Sequence, residues 1–435
     1  MAGDATVLVD EQNGVVSRTI FVDDDIYRRE QETIFLRSWG FVGHDSEIPM
    51  PGDFVTRTLA AAPVIVARND DGAIYVLLNS CRHRGTQVCR TEAGNTRFFV
   101  CPYHGWGYRR DGALVTTTFE KRLPRDFDAA SNGLLRAPCV ETFKGLIFAS
   151  WNPDAAPLAD YLGDFAWYLE LMFGRTPLGM EVLAPPQRWR TRANWKIGAV
   201  NFCGDNQHVV ATHLGPLTID PLHQVLGGNT DVDADSFQIM GGHGHAATLT
   251  YLAGGLPDHV YAMRPADLEP HFEQALKPEQ LTALARLRVV VGTVFPNMSF
   301  IETQAGAAGK ALVIRLWVPL SATETEVFSW TLAEKEASAE YKADVLRHGL
   351  HELGAAGVFE QDDVEMWNSA IFASDNPVAR DLSFGFQTAV PYADTPVPDF
   401  KWPGQAYQPI DTEVVQLKFL KHWNRCLEGD DGRIP

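Results

Sequence analysis

Between residues 40 and 153 the chain consists of short hydrophobic runs separated by turn-forming residues. Runs such as FVTRTL, PVIVAR, AIYVLLN, RFFVC and GLIFASW are rich in β-branched and aromatic residues, and Gly, Pro, Asp and Asn lie between them. Short runs with frequent turn signals are typical of strands. We therefore predict a small all-β domain over residues 40–155, which ends in the polar stretch NPDAAP.

The rest of the chain mixes helical and strand patterns. Residues 24–39 have apolar positions that can share one helix face, and acidic residues precede them, which suits the positive end of a helix. We expect this N-terminal segment, 1–39, to pack on a larger α+β domain, 156–435. The elements predicted in that domain are helices over 194–213, 333–353 and 358–372, buried strands over 289–301 and 311–318, and a half-exposed strand over 323–332.

The composition excludes several classes of protein. Of the 435 residues, 45% are hydrophobic, and the formal net charge is −18. The first value is ordinary for a globular protein, and the second argues against coating nucleic acid or acidic membranes. No apolar run is long enough for a membrane helix, and the acidic N-terminus lacks the features of a secretory signal. Six cysteines are too few for a disulfide scaffold and fit a cytoplasmic protein with reduced or metal-bound thiols.

Two Cys-plus-His pairs lie in the β-rich region, in the segments CRHRG and CPYHGW. They place Cys81 with His83 and Cys101 with His104. A structural zinc site is the simpler alternative, but zinc ligands more often pair Cys with Cys and His with His. One thiolate and one imidazole from each loop suit a [2Fe–2S] cluster in which one iron takes both thiolates and the other both imidazoles.

A second group of polar residues lies in the segment ANWKIGAVNFCGDNQHVVATH. On a regular helix Asn201, Asp205 and His208 would share one face, and buried polar groups need partners such as a metal ion. His208 and His213 are five residues apart, which leaves them ~140° out of phase on a regular helix. We therefore predict a π-type bulge or irregular turn near 209–213 that brings both imidazoles to one ion.

Two histidines need a carboxylate to complete the site that suits ferrous iron and leaves positions open for dioxygen. Asp362 and Asp363 in GVFEQDDVEMWNSA are the candidates. On a helix Asp363 has Phe359 and Trp367 four residues to either side, so it lies on the more apolar face. We predict Asp363 as the ligand and keep Asp362 as the alternative. A zinc hydrolase could use similar ligands, but it would have no need for an electron-transfer cluster.

These motifs together resemble those of the large (α) subunit of a Rieske non-heme iron aromatic-ring-hydroxylating oxygenase. CRHRG and CPYHGW resemble the Rieske loops, and the similarity continues through NFCGDNQHVVATH and VFEQDDVEMW, over nearly the full length. The resemblance implies a β-sandwich Rieske domain and a catalytic domain built on a curved antiparallel sheet flanked by helices. It implies a [2Fe–2S] Rieske cluster and a mononuclear Fe(II) as cofactors, with the second aspartate as iron ligand.

The resemblance also implies an activity. The expected function is that of a terminal oxygenase that hydroxylates an aromatic substrate with dioxygen, by cis-dihydroxylation in most members of the family. A Rieske monooxygenase or demethylase is the first alternative. A Rieske electron carrier without oxygenase activity is the second, although the second metal site and the large C-terminal domain argue against it.

Two residues receive roles from the resemblance. In similar proteins the aspartate three residues before the first ligand histidine bridges to a Rieske histidine of the neighbouring subunit. Asp205 would then link His208 to His104 of another chain, and Asn201 would lie near the iron. The candidate substrate pocket, in which each residue could equally be plain core, comprises Phe202, Val209, Phe295, Asn297 and Phe359.

Electrons from NADH must arrive through partner proteins, because no strand is followed by a GxGxxG-type nucleotide motif. A ferredoxin, an NADH-dependent reductase, or both would supply them. Six arginines and one acid, Glu92, lie between residues 81 and 110, which favours docking of an acidic redox partner. The resemblance implies an α3β3 hexamer with a small β subunit, or else an α3 trimer.

Two further features of the sequence are less specific. Arg286, Arg288 and Arg315 could pair with the carboxylate of an aromatic acid, although such arginines are usually structural. The stretch GGHGH, residues 241–245, is expected to form a flexible loop.

Overall fold

A computed structural model describes residues 7–118, 120–219, 236–251, 264–305 and 309–429. The chain divides into two compact units, one of Phe35–Leu158 and one of Met1–Ile34 with Ala159–Pro435. No helix within the described ranges has the length and apolar character that a membrane crossing requires.

The strands are numbered in chain order. They are Val9–Asp10 (β1), Val15–Ser17 (β2), Gly40–His44 (β3), Asp53–Leu59 (β4), Ala62–Arg68 (β5), Ile74–Leu78 (β6), Ala93–Asn95 (β7), Phe98–Val100 (β8), Gly107–Arg109 (β9), Leu114–Thr116 (β10), Cys139–Phe143 (β11), Leu146–Ser150 (β12), Met180–Val182 (β13), Gln187–Thr191 (β14), Phe237–Met240 (β15), Ala246–Tyr251 (β16), Leu287–Val294 (β17), Met298–Ala305 (β18), Gly309–Pro319 (β19), Thr325–Glu334 (β20), Ser383–Gly385 (β21) and Gln405–Tyr407 (β22).

The α-helices are numbered in the same way. They are Asp24–Glu30 (α1), Leu158–Leu162 (α2), Ala166–Phe173 (α3), Trp195–Asn201 (α4), Val209–Thr212 (α5), Leu214–Ile219 (α6), Glu269–Ala275 (α7), Pro278–Arg286 (α8), Ala339–Leu353 (α9), Val358–Ser374 (α10) and Val414–Leu427 (α11).

The smaller unit is built from strands in three antiparallel sheets. Their strand orders are β6-β5-β4-β7, β11-β12-β3 and β10-β9-β8. Cys81 and Cys101 are buried in one hydrophobic cluster together with Phe54, Phe99 and Tyr108. The loops that contain both candidate Cys-plus-His pairs are therefore anchored in the core of this unit.

The larger unit is organised around one antiparallel sheet of nine strands. Its order is β13-β20-β19-β18-β17-β16-β15-β22, and β14 also pairs with β20. Helix α9 packs on β19 and β20, α4 packs on β19, and α11 packs on β15 and β16. The predicted α+β class, with a small β domain and a larger domain of antiparallel sheet and helices, is confirmed.

Glu30, at the end of α1, joins three parts of the larger unit. Its buried carboxylate accepts hydrogen bonds from the indole nitrogens of Trp195 and Trp423, at 3.0 and 2.7 Å, and from Lys196 Nζ. Burial lowers the pKa of Lys196, and the carboxylate opposes this. The first helix is thus bonded to α4, which precedes the candidate iron ligands, and to α11.

Two strand predictions were wrong. Residues 289–301 form the hairpin β17–β18, broken by a turn that contains Pro296 and Asn297, instead of one strand. All ten residues of β20 are buried, so residues 323–332 are not a half-exposed strand. The polar positions of β20 have partners elsewhere in the chain: Glu326 accepts from Arg188, for example, at 2.8 Å.

Two helix predictions were wrong in their extent. The first α-helix ends at Glu30 and passes into a single wide turn, Gln31–Phe35, before β3 begins. The helix predicted over 333–353 begins only at Ala339, where the Ser338 side chain caps it. The helix predicted over 358–372 is present as α10.

Candidate cluster and metal sites

The two Cys-plus-His loops of the smaller unit have the same backbone hydrogen bonds. The amide of Gly85 donates to Cys81 O at 2.8 Å, and the amide of Gly105 donates to Cys101 O at 3.0 Å. Both glycines have positive φ, 76° and 70°, which a residue with a side chain rarely adopts. Each loop therefore turns back sharply and presents one thiol and one imidazole.

The loops bring the four predicted cluster ligands together. Cys81 and Cys101 are buried and form no disulfide, and the rings of His83 and His104 have centroids 4.5 Å apart. His83 Nδ1 is buried without a hydrogen-bond partner among the described residues. Burying a polar nitrogen in this way is costly unless another group binds it, so the set of side chains fits a [2Fe–2S] cluster.

Tyr108, which belongs to neither sequence motif, contacts one of the candidate ligands. Its hydroxyl accepts the amide of Arg82 at 3.1 Å and lies 3.2 Å from Cys81 Sγ, so it is placed to donate to that sulfur. Burial, above all, raises the pKa of Tyr108, and this keeps the proton on the hydroxyl. A buried tyrosine needs a partner for its hydroxyl, and its place on the strand directly after the second loop was the available signal.

Most of the arginines near the loops are at the surface. Arg82, Arg84, Arg90 and Arg97 are exposed. Arg110 is buried and forms an ion pair with Asp70, so it is used in packing. Arg109 is exposed as well and lies 3.6 Å from Asp111, so five of the six arginines are at the surface and one of those five faces a carboxylate.

In the larger unit the chain leaves helix α4 at Asn201, and residues 202–208 are irregular. Gly204 has a φ of 119°, and a Cβ there would lie 1.8 Å from Thr248 Oγ1, so only glycine fits. The single helix predicted over 194–213 is therefore wrong. Asp205 and His208 follow the helix instead of lying on it.

Of the two alternatives predicted near 209–213, the π-type bulge is wrong, whereas an irregular residue is found at His213, which separates α5 from α6. Val209–Thr212 is one ordinary helical turn, with His208 directly before it and His213 at its C-terminal end. His208 itself has helical dihedral angles, φ −70° and ψ −28°, and the helical geometry ends at His213, with φ −98° and ψ 19°. Their rings lie 5.1 Å apart, at 75° to each other.

The two imidazoles meet one carboxylate oxygen. Asp363 Oδ1 lies 3.4 Å from His208 Nε2 and 3.3 Å from His213 Nε2. One ligand atom of each of these three residues falls within 4.8 Å of the others, and Asp363 is largely buried. The two Nε2 atoms and Oδ1 of Asp363 thus converge on one point. Two imidazole nitrogens and one carboxylate oxygen fit a divalent metal ion such as Fe(II).

A second carboxylate faces the other nitrogen of each histidine. Asp205 Oδ1 lies 3.5 Å from His208 Nδ1, and Asp362 Oδ2 lies 3.3 Å from His213 Nδ1. Carboxylates in this position fix the tautomer and orientation of metal-binding histidines. Asp362 is thus placed behind His213, and Asp363 in front of both rings.

The electrostatics of this group favour a positive charge. Burial lowers the pKa of His208, but its contacts with Asp205 and Asp363 outweigh burial and raise the pKa to about 10. Burial raises the pKa of Asp363, and the two histidines outweigh it and hold that pKa low. Three carboxylates around two imidazoles therefore bind a proton or a metal ion readily.

A cavity of about 360 Å³ lies beside these side chains. The described residues that line it are Phe21, Ile197, Val200, Asn201, Asp205, His208, Thr212, Asp363, Met366, Trp367, Ala370, Phe384, Gly385, Phe386 and Glu413. Asn201 Nδ2 is 3.5 Å from both ring nitrogens of His208. Both candidate catalytic residues, Asn201 and Asp205, thus face this space.

The five candidate pocket residues are not among those lining residues. Phe359 contacts His213 edge to face, at 4.9 Å between ring centroids, and Val209 follows His208 directly. Phe202 is buried against Trp317. The remaining two are buried: Phe295 packs among Trp195, Phe419 and His422, and Asn297 lies in the turn between β17 and β18.

The stretch 241–245 is a loop between β15 and β16, as expected, and it is closed by hydrogen bonds between the backbones of Gly241, Gly242 and His245. His245 is fully buried, with Nε2 bonded to Tyr161 O at 2.9 Å and Nδ1 accepting the amide of Phe295 at 3.0 Å. Arg315, a candidate for binding a substrate carboxylate, is likewise fully buried and bonded to Glu360.

Comparison with known proteins agrees with this geometry. Residues 38–130 match the Rieske [2Fe-2S] domain, and residues 158–385 match the ring hydroxylating alpha subunit (catalytic domain). The chain is 34% identical to the alpha subunit of biphenyl dioxygenase from Paraburkholderia xenovorans (strain LB400), over 97% of this chain and 92% of that protein. It is also 34% identical to the alpha subunit of N,N-dimethyl phenylurea N-demethylase from Sphingobium sp. (strain YBL2), over 96% and 92%.

The fold agrees as well. The crystal structure of naphthalene 1,2-dioxygenase from Rhodococcus sp. bound to indole superposes with a TM-score of 0.88 at 35% identity, and the match covers 95% of this chain and 94% of that one. The chain therefore belongs to the family of ring-hydroxylating oxygenase alpha subunits, with a Rieske [2Fe–2S] domain and a catalytic domain that binds mononuclear iron.

Proposed function

We propose that this chain dihydroxylates an uncharged aromatic substrate, and that it takes electrons through its Rieske domain (40–155) to an iron in its catalytic domain (156–435). The observation that carries the proposal is the convergence of His208 Nε2 and His213 Nε2 on Asp363 Oδ1 in a chain that also has both Rieske loops.

The residues have the following proposed roles. Cys81, His83, Cys101 and His104 hold the cluster, and His208, His213 and Asp363 hold the iron. When bound, the cluster supplies electrons and the iron supplies the activation of dioxygen. Asp362 orients His213 by accepting its Nδ1 proton, which leaves Nε2 free for the metal.

Asp205 serves two histidines in this proposal. Its Oδ1 accepts the amides of Gln207 and His208, at 3.1 and 3.3 Å, which fixes the turn before α5. The side chain is one-third exposed, and it lines the cavity. This leaves room for His104 of a second copy of the chain to bond to the same carboxylate, and such a bond would link a cluster ligand to an iron ligand. Asn201, which faces His208, completes the lining near the iron.

The substrate class rests on the side chains around the proposed ligands and on the names of the relatives. Phe359 lies edge to face against His213, and apolar side chains such as Val200 and Trp367 line the cavity beside the proposed ligands. Arg315 is bonded to Glu360 and cannot serve a substrate carboxylate. Relatives are named biphenyl, chlorobenzene and benzene dioxygenases, so an aromatic hydrocarbon is the proposed substrate.

Demethylation is the second candidate, because one relative of equal identity is named as a phenylurea N-demethylase. Labelled dioxygen separates the two activities. The purified protein, with a ferredoxin, a reductase and NADH, is given ¹⁸O₂ with either biphenyl or N,N-dimethyl phenylurea. A diol that contains two ¹⁸O atoms supports dihydroxylation, whereas loss of a methyl group with one ¹⁸O in the formaldehyde supports the second candidate. Consumption of neither substrate would contradict the proposed substrate class.

The proposed partners follow from the same chemistry. A ferredoxin, an NADH-dependent reductase, or both would dock at the basic surface of Arg82, Arg84, Arg90 and Arg97 in the cytoplasm. The relatives are named as alpha subunits, and we propose an α3β3 hexamer with a small β subunit. An α3 trimer is the alternative, and the mass of the complex purified with and without a co-expressed β subunit decides between them.

A further inference from the structure

Strand β19 contacts helix α10 at two points on the same helix face. Arg315 and Trp317 are two residues apart on β19, so their side chains leave the same face of the strand. Arg315 bonds to Glu360, and Trp317 packs against Trp367, at 5.8 Å between ring centroids. Asp363 lies on α10 between these two contacts.

The positions on α10 fit one face of the helix. Glu360, Asp363 and Trp367 have the i, i+3, i+7 spacing, and all three are buried. A shift or rotation of α10 would therefore move the Asp363 carboxylate together with both contact points. Phe359, whose ring lies against His213, would move with it.

Of the two contacts, the one through Arg315 involves more hydrogen bonds. Its Nη2 donates to Glu360 Oε2 at 2.7 Å and to Leu353 O, the last residue of α9, and its Nη1 donates to Ser329 on β20. One guanidinium thus joins β19, β20, the end of α9 and the first turn of α10. Its planar fork suits several simultaneous bonds of fixed direction.

Among the described residues, the first turn of α10 has no other polar anchor of this kind. Its N-cap residue is Gly357, which offers no capping side chain. Glu360 is fully buried, every described hydrogen bond to its carboxylate comes from Arg315, and Oε1 has no partner among the described residues. The start of this helix therefore depends on Arg315 for its place.

We propose that Arg315 and Glu360 are a positioning pair for the mononuclear metal site. Their bond fixes the position of α10 along its axis and its rotation about that axis, and thereby places the Asp363 carboxylate opposite His208 and His213. The proposal rests on the assignment of Asp363 as a ligand. Buried ion pairs are a poor source of stability but can fix one geometry among several, and that is the role assigned to this pair.

The experiment measures Fe(II) affinity and stability in the same variants. The protein with its Rieske cluster intact is depleted of mononuclear iron, and Fe(II) is titrated anaerobically by equilibrium dialysis, alongside urea unfolding. We expect Glu360→Gln to raise the Kd for Fe(II) about 10- to 100-fold, the range seen for partners that orient metal ligands. The double variant Arg315→Met with Glu360→Met, which leaves no unpaired buried charge, should raise it at least as much, whatever its urea midpoint.

Glu334→Gln is the matched control, because Glu334 is a buried carboxylate on β20 that bonds to Arg175 at 2.7 Å. It should lower the urea midpoint and leave the Kd for Fe(II) within twofold of the parent. The proposal is overturned if both Glu360→Gln and the double variant bind Fe(II) as the parent does.

Asp363→Ala, in the same titration, separates the two assignments. If it loses Fe(II) binding while both Glu360→Gln and the double variant keep parental affinity, only the positioning pair is wrong. If it binds Fe(II) with parental affinity, Asp363 is not a ligand, and the positioning proposal is overturned with it.

Discussion

The candidate cluster ligands and the candidate iron ligands are placed in the chain in different ways. In the smaller unit they come from two short loops with matching hydrogen bonds, in which a glycine amide returns to the cysteine carbonyl. In the larger unit they come from a turn after α4 and from helix α10, and the side chains of His213 and Asp362 meet although 149 residues separate them. One set is local and the other is assembled by the fold.

This difference decides what each site depends on. The loops need only their own glycines and the core beneath the cysteines, so changes outside them should tune the cluster rather than abolish it. The candidate iron ligands come from two separate elements, so their site depends on how α10 is placed against the turn that contains the two histidines. The larger effects of substitution are therefore expected in the larger unit.

The largest expected effect distinguishes the two neighbouring aspartates. Asp363→Ala removes the carboxylate that faces both Nε2 atoms, so mononuclear iron and hydroxylation should be lost while the Rieske absorbance stays. Asp362→Ala removes only the group behind His213 and should weaken iron binding about 10- to 100-fold. Iron per chain, about three in the parent and about two in Asp363→Ala, is measured after desalting. The opposite result for the two variants would assign Asp362 as the ligand.

Asp205→Ala tests whether the two sites communicate through this carboxylate. It should keep both the Rieske absorbance and most of its iron, yet lose turnover about 100-fold, because orientation of His208 and the bridge to a second copy are lost together. Single-turnover oxidation of the reduced cluster measures the transfer directly. Asp205→Asn, which can still accept the two amides of the turn, is the control for local folding. Full activity of Asp205→Ala would refute the bridging role.

The candidate cluster ligands could be proposed from the sequence because they and their turn residues lie within two short motifs. The same holds for the identity of His208, His213 and Asp363, since residue types and an apolar helix face were sufficient to propose them. The shape of the chain around the histidines was not predictable, because the break after Asn201 depends on Gly204 fitting against Thr248, a contact between distant segments.

The errors in the strands have a similar cause. β20 alternates polar and apolar residues and so resembled a half-exposed strand, but Ser329 is bonded to Arg315 and Glu334 to Arg175, from other parts of the chain. Alternation predicts exposed polar positions, but these polar side chains are paired inside the unit. By contrast, the break in 289–301 had a local signal, because Pro296 and Asn297 favour a turn. The apolar residues on both sides of this pair nevertheless favoured a single strand.

Electron entry should depend on charge at the surface of the smaller unit. Raising ionic strength from low to ~0.5 M should slow reduction of the cluster by an acidic ferredoxin about tenfold, since screening weakens steering. Arg90→Glu and Arg97→Glu should lower the rate at low salt and flatten its salt dependence, whereas Arg347→Glu, exposed on α9, should not. Stopped-flow absorbance measures the rate, and a rate that is independent of salt would exclude docking at this surface.

Buried histidines make the larger unit sensitive to acid. Burial lowers the pKa of His245 to about 3, whereas an unfolded histidine titrates near 6.5. Below pH 6.5 the unfolded chain binds the extra proton, so the free energy of unfolding falls by about 2 kcal/mol between pH 7 and pH 5 from this residue alone. His245→Gln should remove this part of the loss in urea unfolding, and His351→Gln, exposed on α9, should not. An unchanged pH dependence in His245→Gln would contradict the assignment.

The smallest expected effect is a tuning of the cluster. Tyr108→Phe removes the hydroxyl that donates to Cys81 Sγ and so destabilises the more negative, reduced cluster. A hydrogen bond of ~1 kcal/mol corresponds to ~40 mV for one electron, so the reduction potential should fall by about that amount while the cluster remains assembled. Tyr75→Phe, partly buried against the same core, is the control. A redox titration that gave the same potential for both variants would show that Tyr108 only packs, and a lost cluster would show that the loops depend on more than their own residues.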